Sequence, residues 1–195
     1  MRAPILLTDA IDEVLSTEEA KDHLRVTGSA QDDYIGAINT AARQHCENIC
    51  NRSFLPQEWA LYLDCLEEEI RLERAGVTAV TSIKYIDENG LQQTLSPSKY
   101  QTDLLSIVPR ICVAYGETYP AVRSCTLNAV EVKFTAGYAN AAAVPGPIKQ
   151  AIKLVLSALF DNRAAIAVGV GIVVKEMPMP IAVPYLLAPY RLVAV

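Results

Sequence analysis

The chain has 195 residues, 51% of them apolar, and a formal net charge of -5 at pH 7. That apolar content can fill a sizeable core in one domain, or in one domain with a small appendage, and it argues against overall disorder. The acidic balance supplies no basic field to neutralise phosphates, which excludes nucleic-acid affinity driven by counterion release.

The first residues, Met1 to Asp9, carry one basic side chain and an apolar stretch far shorter than the core of a secretory leader. The expectation is that nothing targets the chain outward. Five cysteines (Cys46, Cys50, Cys65, Cys112 and Cys125) are an odd number, which fits reduced thiols in a cytosolic setting better than a disulfide framework.

Ser16, with Glu19 three residues on, marks the start of a helix through a capping box, and Ala20, His23 and Leu24 would face inward. Gly28 to Gln31 reads as a turn. A longer helix then starts at Asp32, with Asp33 beside it at the positive end of the dipole. Ile35, Ile38, Ala42, Cys46 and Ile49 recur along it at steps of three and four, and it ends near Asn51.

From Gln57 the period becomes two. Trp59, Leu61 and Leu63 alternate with more polar neighbours, as do Ile70 and Leu72, which predicts strands with one wet face. Val80 to Ile86 and Leu91 to Leu95 flank Asp87-Glu-Asn-Gly90, where Asn-Gly suits a tight hairpin turn. Shorter strands are expected near Tyr100 to Leu104 and Ile111 to Tyr115, and Val130, Val132 and Phe134 alternate in a last one. The middle of the chain therefore reads as a mostly antiparallel sheet.

Pro147 suits the first turn of a further helix, where its missing amide hydrogen costs nothing. Ile148, Ala151, Ile152, Val155 and Leu159 would form its buried stripe. Beyond it, Ala164 to Val174 is apolar, β-branched and uncharged, about half of the roughly 20 residues a membrane span requires. Left exposed, such a run would aggregate, so it is read as a strand pair or extended arm that meets a partner.

No set of side chains converges as a nucleophile, base and charge stabiliser would. His23 and His45 fall on helices and read as packing or surface residues. Cys46 and Cys50 lie four apart on a helix without the paired short spacings of a zinc site. Glu67, Glu68 and Glu69 form a like-charge run that reads as solvated, and Gly169-Val-Gly171 lacks the setting of a phosphate loop. No cofactor, metal site or catalytic residue is expected. The rival reading as an enzyme is a small hydrolase or transferase using Cys46 or Cys50 with His45.

In order along the chain, several segments resemble the head-tail connector, or adaptor, proteins of long-tailed bacteriophages and gene transfer agents. They are Ser16-Thr-Glu-Glu-Ala-Lys-Asp-His-Leu-Arg-Val26, Thr81-Ser-Ile-Lys-Tyr-Ile-Asp-Glu-Asn-Gly90, Val132-Lys-Phe-Thr-Ala-Gly-Tyr138, Val144-Pro-Gly-Pro-Ile-Lys-Gln-Ala-Ile152, Phe160-Asp-Asn-Arg163 and Leu187-Ala-Pro-Tyr-Arg191.

The resemblance implies an α+β fold: a small helical bundle of two N-terminal helices plus a C-terminal helix, with an inserted mostly antiparallel β domain and an extended apolar C-terminal arm. The boundaries would be 1–56 and 145–163 for the helical core, 57–138 for the β domain and 164–195 for the arm. Function would be structural: a homo-oligomeric ring of about twelve copies under the portal, in the neck of a virion made in the bacterial host cytoplasm. The ring would extend the DNA channel, passing DNA without specific binding, and carry the next neck or tail completion protein. A tail terminator or head-closure stopper is the alternative within the virion.

Contact with the portal or a neighbouring subunit is assigned to Ile166, Val168, Val170, Ile172, Val174, Met177, Met179, Tyr185, Leu186, Leu187, Tyr190 and Arg191. The arm, lying beyond the helix that closes the core, would be dispensable for folding.

Overall fold

The computed structural model describes residues 3–162 and 180–192. The chain divides into two units: the described part of one spans 3–11, 51–139 and Leu192, and that of the other 12–50, 140–162 and 180–191.

The first unit holds eight strands: β1 (Ile5–Thr8), β2 (Gln57–Leu63), β3 (Glu69–Arg71), β4 (Val77–Ile86), β5 (Gln92–Thr94), β6 (Tyr100–Asp103), β7 (Arg110–Val113) and β8 (Val130–Ala136). They form a five-stranded sheet ordered β1-β2-β8-β4-β5 and a three-stranded sheet ordered β3-β7-β6, every pairing antiparallel. In β8 the alternation is complete: Val130, Val132, Phe134 and Ala136 are buried, while Glu131, Lys133 and Thr135 are only partly covered. Those side chains meet Trp59, Leu61, Ile83, Ile70 and Ile111 in a single apolar core.

Trp59 is held at one end of that core. Its indole N–H and the Arg74 Nε–H both donate to Ser53 Oγ at 3.1 Å, and the Arg74 guanidinium lies 4.1 Å from the indole ring centre. Gly137 closes β8 with φ +131°, and a Cβ there would sit 2.0 Å from the Leu55 carbonyl oxygen, a place no other residue can occupy.

The hairpin turn differs in detail from expectation. Gly90 alone takes a positive φ (+83°), and Asn89 does not. Asp87 organises the turn instead, its Oδ1 accepting from the backbone N–H groups of Asn89 at 3.0 Å and Leu91 at 2.9 Å.

The second unit holds α1 (Thr17–Leu24), α2 (Asp32–Cys50), α3 (Gly146–Asp161) and α4 (Ala182–Leu187). The predicted capping box is present: Ser16 Oγ accepts from Glu19 N at 3.1 Å and Glu19 Oε2 accepts from Ser16 N at 3.0 Å. Helix α3 packs on α1, α2 and α4, burying Ile148, Ala151, Ile152, Val155 and Leu156, with Leu159 only partly covered.

On α2 the buried face is rotated from the apolar stripe. Ile38 and Ile49 are only partly covered, whereas Asn39, Arg43 and Glu47 are buried with Ile35, Ala42 and Cys46. The reason is a set of polar partners within reach. Arg43 donates from Nε to Glu13 Oε2 and from Nη1 to Glu47 Oε2, each at 2.9 Å, and Asn39 Nδ2 donates to the Leu15 carbonyl at 2.8 Å.

The unit boundaries depart from those expected. Residues 3–11 join the β unit because β1 completes its sheet against β2, and 51–56 follow. Residues 180–191 join the helical unit because α4 buries Val183 and Leu187 against it. A truncation after Arg163 would therefore remove Val183 and Leu187 from the helical unit's interior.

Candidate functional site

The titratable groups that would have served an enzyme are placed apart or sealed. Cys46 and Cys50 are fully buried, and burial first, then the neighbouring Cys50 and Glu47, push the Cys46 thiol up to about 12. A thiol held protonated at neutral pH and closed to solvent is a poor nucleophile. Cys50 Sγ lies 4.0 Å from the Leu187 carbonyl oxygen. His45 is exposed, and His23 Nε2 is engaged with Ser157 Oγ at 3.0 Å, a link between α1 and α3.

The glutamate run lies beside a cleft of about 360 Å³ with an apolar floor of Leu61, Leu63 and Ile70, rimmed by Asp64, Glu67, Glu69 and Glu73 with Arg71 as its one cation. Glu69 accepts from Arg71 Nε at 2.7 Å and from Arg110 Nη1 at 3.1 Å, and these two guanidiniums hold its carboxyl below the ordinary range. Among the described residues no group of three His, Cys, Asp or Glu could hold a metal ion. Nor is any described helix long and apolar enough to cross a membrane.

What the structure does present is exposed apolar surface. At the carboxyl end, Tyr185 is 76% and Ile181 82% exposed on one side of α4, while Val183 and Leu187 on the other side are closed. Pro189 follows in a single 3-10 turn over Ala188–Tyr190. Of the residues assigned to a partner, Tyr185 and Arg191 are exposed, Leu186 and Tyr190 partly so. Leu187 is a correction: it lies four positions after Val183, on the same face of α4, and that face is buried in its own helical unit. Ile166, Val168, Val170, Ile172, Val174, Met177 and Met179 lie outside the described residues.

Sequence reasoning passed over two further exposed features. On the β6–β7 hairpin, Leu105 is fully exposed and Ile107 82% exposed, on a tip braced by Asp103, whose carboxylate accepts from Leu105 N, Ser106 N, Ser106 Oγ and Arg110 Nε. Strand β1 exposes Ile5, Leu6 and Leu7 at the edge of the larger sheet. An apolar triplet near the chain start, Ile5-Leu-Leu7, was the available signal, but its short length concealed a strand.

Residues 15–111, about half of the chain, match the family model of the phage gp6-like head-tail connector protein. The chain belongs to this head-tail connector family. The connector is accordingly a structural protein of the virion, at the junction of head and tail, and not an enzyme.

Solved structures extend the likeness to nearly the whole connector. It is similar to a chain in the neck of an empty gene transfer agent particle computed with C6 symmetry, at 26% identity and a TM-score of 0.77, covering 98% of this chain and 96% of that one. A chain from the virion of a native gene transfer agent particle matches at 24% identity and 0.77, over 98% and 96%. One from the neck of a native particle computed with C12 symmetry matches at 23% and 0.72, over 97% of each chain. The last two share the fold. No curated protein sequence matches the connector.

Proposed function

We propose that the connector forms a homo-oligomeric ring of about twelve copies under the portal, extends the DNA channel and gives the next neck or tail protein its platform. The observation that carries this reading is the end-to-end match to a chain in a neck of sixfold symmetry, at 26% identity and over 98% of the connector. A ring with the connector's net charge of -5 also suits a channel through which DNA slides, since walls that bound phosphate would retard it.

Contact with the portal or a neighbouring copy falls to the late apolar segment, with Ile166, Val168, Val170, Ile172, Val174, Met177 and Met179, and to Tyr185, Leu186, Tyr190 and Arg191 of the C-terminal turn. Exposed aromatics and an arginine at a chain end are the residue types that dominate protein interfaces.

The test is the mass of the purified connector in solution, alone and mixed with the portal protein of the same virus, followed by imaging of any large species. A closed ring, alone or on the portal, supports the reading, and a monomer that ignores the portal discards it. Val170→Asp places a charge in the late segment and is expected to abolish portal binding while leaving the subunit folded. Unchanged binding would remove the segment from the interface.

A further inference from the structure

The five-stranded sheet ends in two open edges on opposite sides. At one end β1 pairs with β2 alone. At the other, β5 covers only Lys84 to Ile86 of β4, so that along 77–82 the ladder partner of β4 among the described residues is β8 alone. Thr78, Ala79 and Thr81 are exposed there, as Ile5, Leu6, Leu7 and Thr8 are on β1.

Natural sheets guard such edges with lysine, proline or inward-pointing charge. Neither edge here has a charge or a proline, and the guards present are the shortness of β1 and a register shift on each edge: β1 reads Ile-Leu-Leu-Thr, and the open run of β4 reads Val-Thr-Ala-Val-Thr-Ser. Register shifts between Leu6 and Thr8, Val77 and Ala79, and Val80 and Ser82 add local twist. They confine any pairing to a few residues.

The two edges are similar in length, uncharged, and present once each on every copy. We propose that neighbouring copies join through them, β1 of one copy pairing with the 77–82 edge of β4 in the next, so that the sheets run on around the ring. The inference rests on the ring reading above. A second copy is the occupant because one contact then satisfies both edges, and because a head-to-tail contact repeated by rotation closes into a ring, as the symmetric neck that contains the similar chain does. Each such contact is short, so that a lone pair of copies is weakly held and closure of the ring supplies the remaining stability.

Disulfide trapping tests the contact. In a background with Cys65→Ser and Cys125→Ser, one of Leu6→Cys or Leu7→Cys is combined with one of Ala79→Cys or Thr81→Cys. Four pairings suffice because a one-residue slip turns a side chain to the other face of the sheet. Oxidised glutathione exchanges with the two thiols to leave one interchain disulfide and two molecules of reduced glutathione. Within one copy the bond is barred: β1 and β4 are three strand spacings apart, about 14 Å, against the roughly 7 Å that a disulfide allows between Cα atoms.

The expected result is a ladder of covalent dimers, trimers and larger species from at least one pairing in the assembled ring, lost on reduction and missing from each single-cysteine control. A ring that forms but cross-links in none of the four pairings overturns this inference and leaves the ring reading standing. No ring, alone or on the portal, overturns both. As a second readout, Leu7→Lys and Thr81→Lys are each expected to weaken assembly at least tenfold with an unchanged melting temperature. Assembly at parental strength in both variants would equally overturn the inference.

Discussion

Arg43→Ala is expected to be among the most damaging single changes in the helical unit. The Arg43 side chain is 1% exposed and sits between Glu13 and Glu47, each at 2.9 Å, and the Glu47 side chain is itself only 3% exposed. Truncation removes the cation beside a buried carboxylate, a change that costs about 3–5 kcal/mol. For a chain of this size 1 kcal/mol moves the melting temperature by about 2–4 °C, so about 4 kcal/mol corresponds to a fall of roughly 8–16 °C. Glu13, with 26% of its side chain exposed, can turn toward water, which makes Glu47 the main source of the penalty.

The assay is thermal melting by far-ultraviolet circular dichroism, which follows the helices, in parallel with fluorescence of Trp59, the single tryptophan, which reports the β unit. The control is Arg43→Met with Glu47→Leu, which removes both buried charges and fills the same space. It should recover most of the loss, because the penalty comes from burying a charge that has lost Arg43 and not from the missing attraction. If Arg43→Ala melted within about 2 °C of the parent, or if the double variant were no more stable than the single one, the assignment of this triad as the organiser of α2 would be refuted.

Gly137→Ala should disrupt the end of β8 by more than about 3 kcal/mol, since its Cβ would collide with the Leu55 carbonyl. Gly28→Ala, with φ +83° but nothing within 4 Å, should cost only about 1 kcal/mol, and urea unfolding separates the two. Leu187→Ala should cost about 2–5 kcal/mol by opening a cavity under α4, and a parental melt would show that α4 is not part of the helical core. Brief alkylation at neutral pH, read by mass spectrometry, should label the exposed Cys65 and Cys125 and spare Cys46 and Cys50 until the protein is unfolded. Because folding raises the Cys46 thiol from 9.0 to about 12, its contribution to stability is complete below pH 9 and is lost as the pH rises toward 12. A melting temperature flat across that window would contradict this.

Elements with a strong local signal were legible in the sequence. The Ser16–Glu19 capping box, the alternation of β8 and the Pro147 start of α3 each depend on neighbours a few residues away, so the chain itself carries the instruction. The α2 stripe was read one step off because its polar inner face is stabilised by Glu13, 30 positions from Arg43, a partner that periodicity does not reveal. The short pieces were missed for the same reason. Four residues of β1 become a strand only by pairing with β2, and the six residues of α4, with Pro184 among them, become a helix only by burying Val183 and Leu187.

The candidate surface divides in the same way. That the chain is acidic and concentrates apolar residues late was determined by the sequence, because composition and short spacings survive without a fold. Which apolar residues remain on the outside was decided by tertiary structure alone. Leu187 and Tyr185 lie two positions apart in the same short helix, yet one is closed off and the other faces water, and the packing of α4 separates them. The two open sheet edges are likewise invisible in one dimension, since an edge is defined by the strand that fails to arrive beside it.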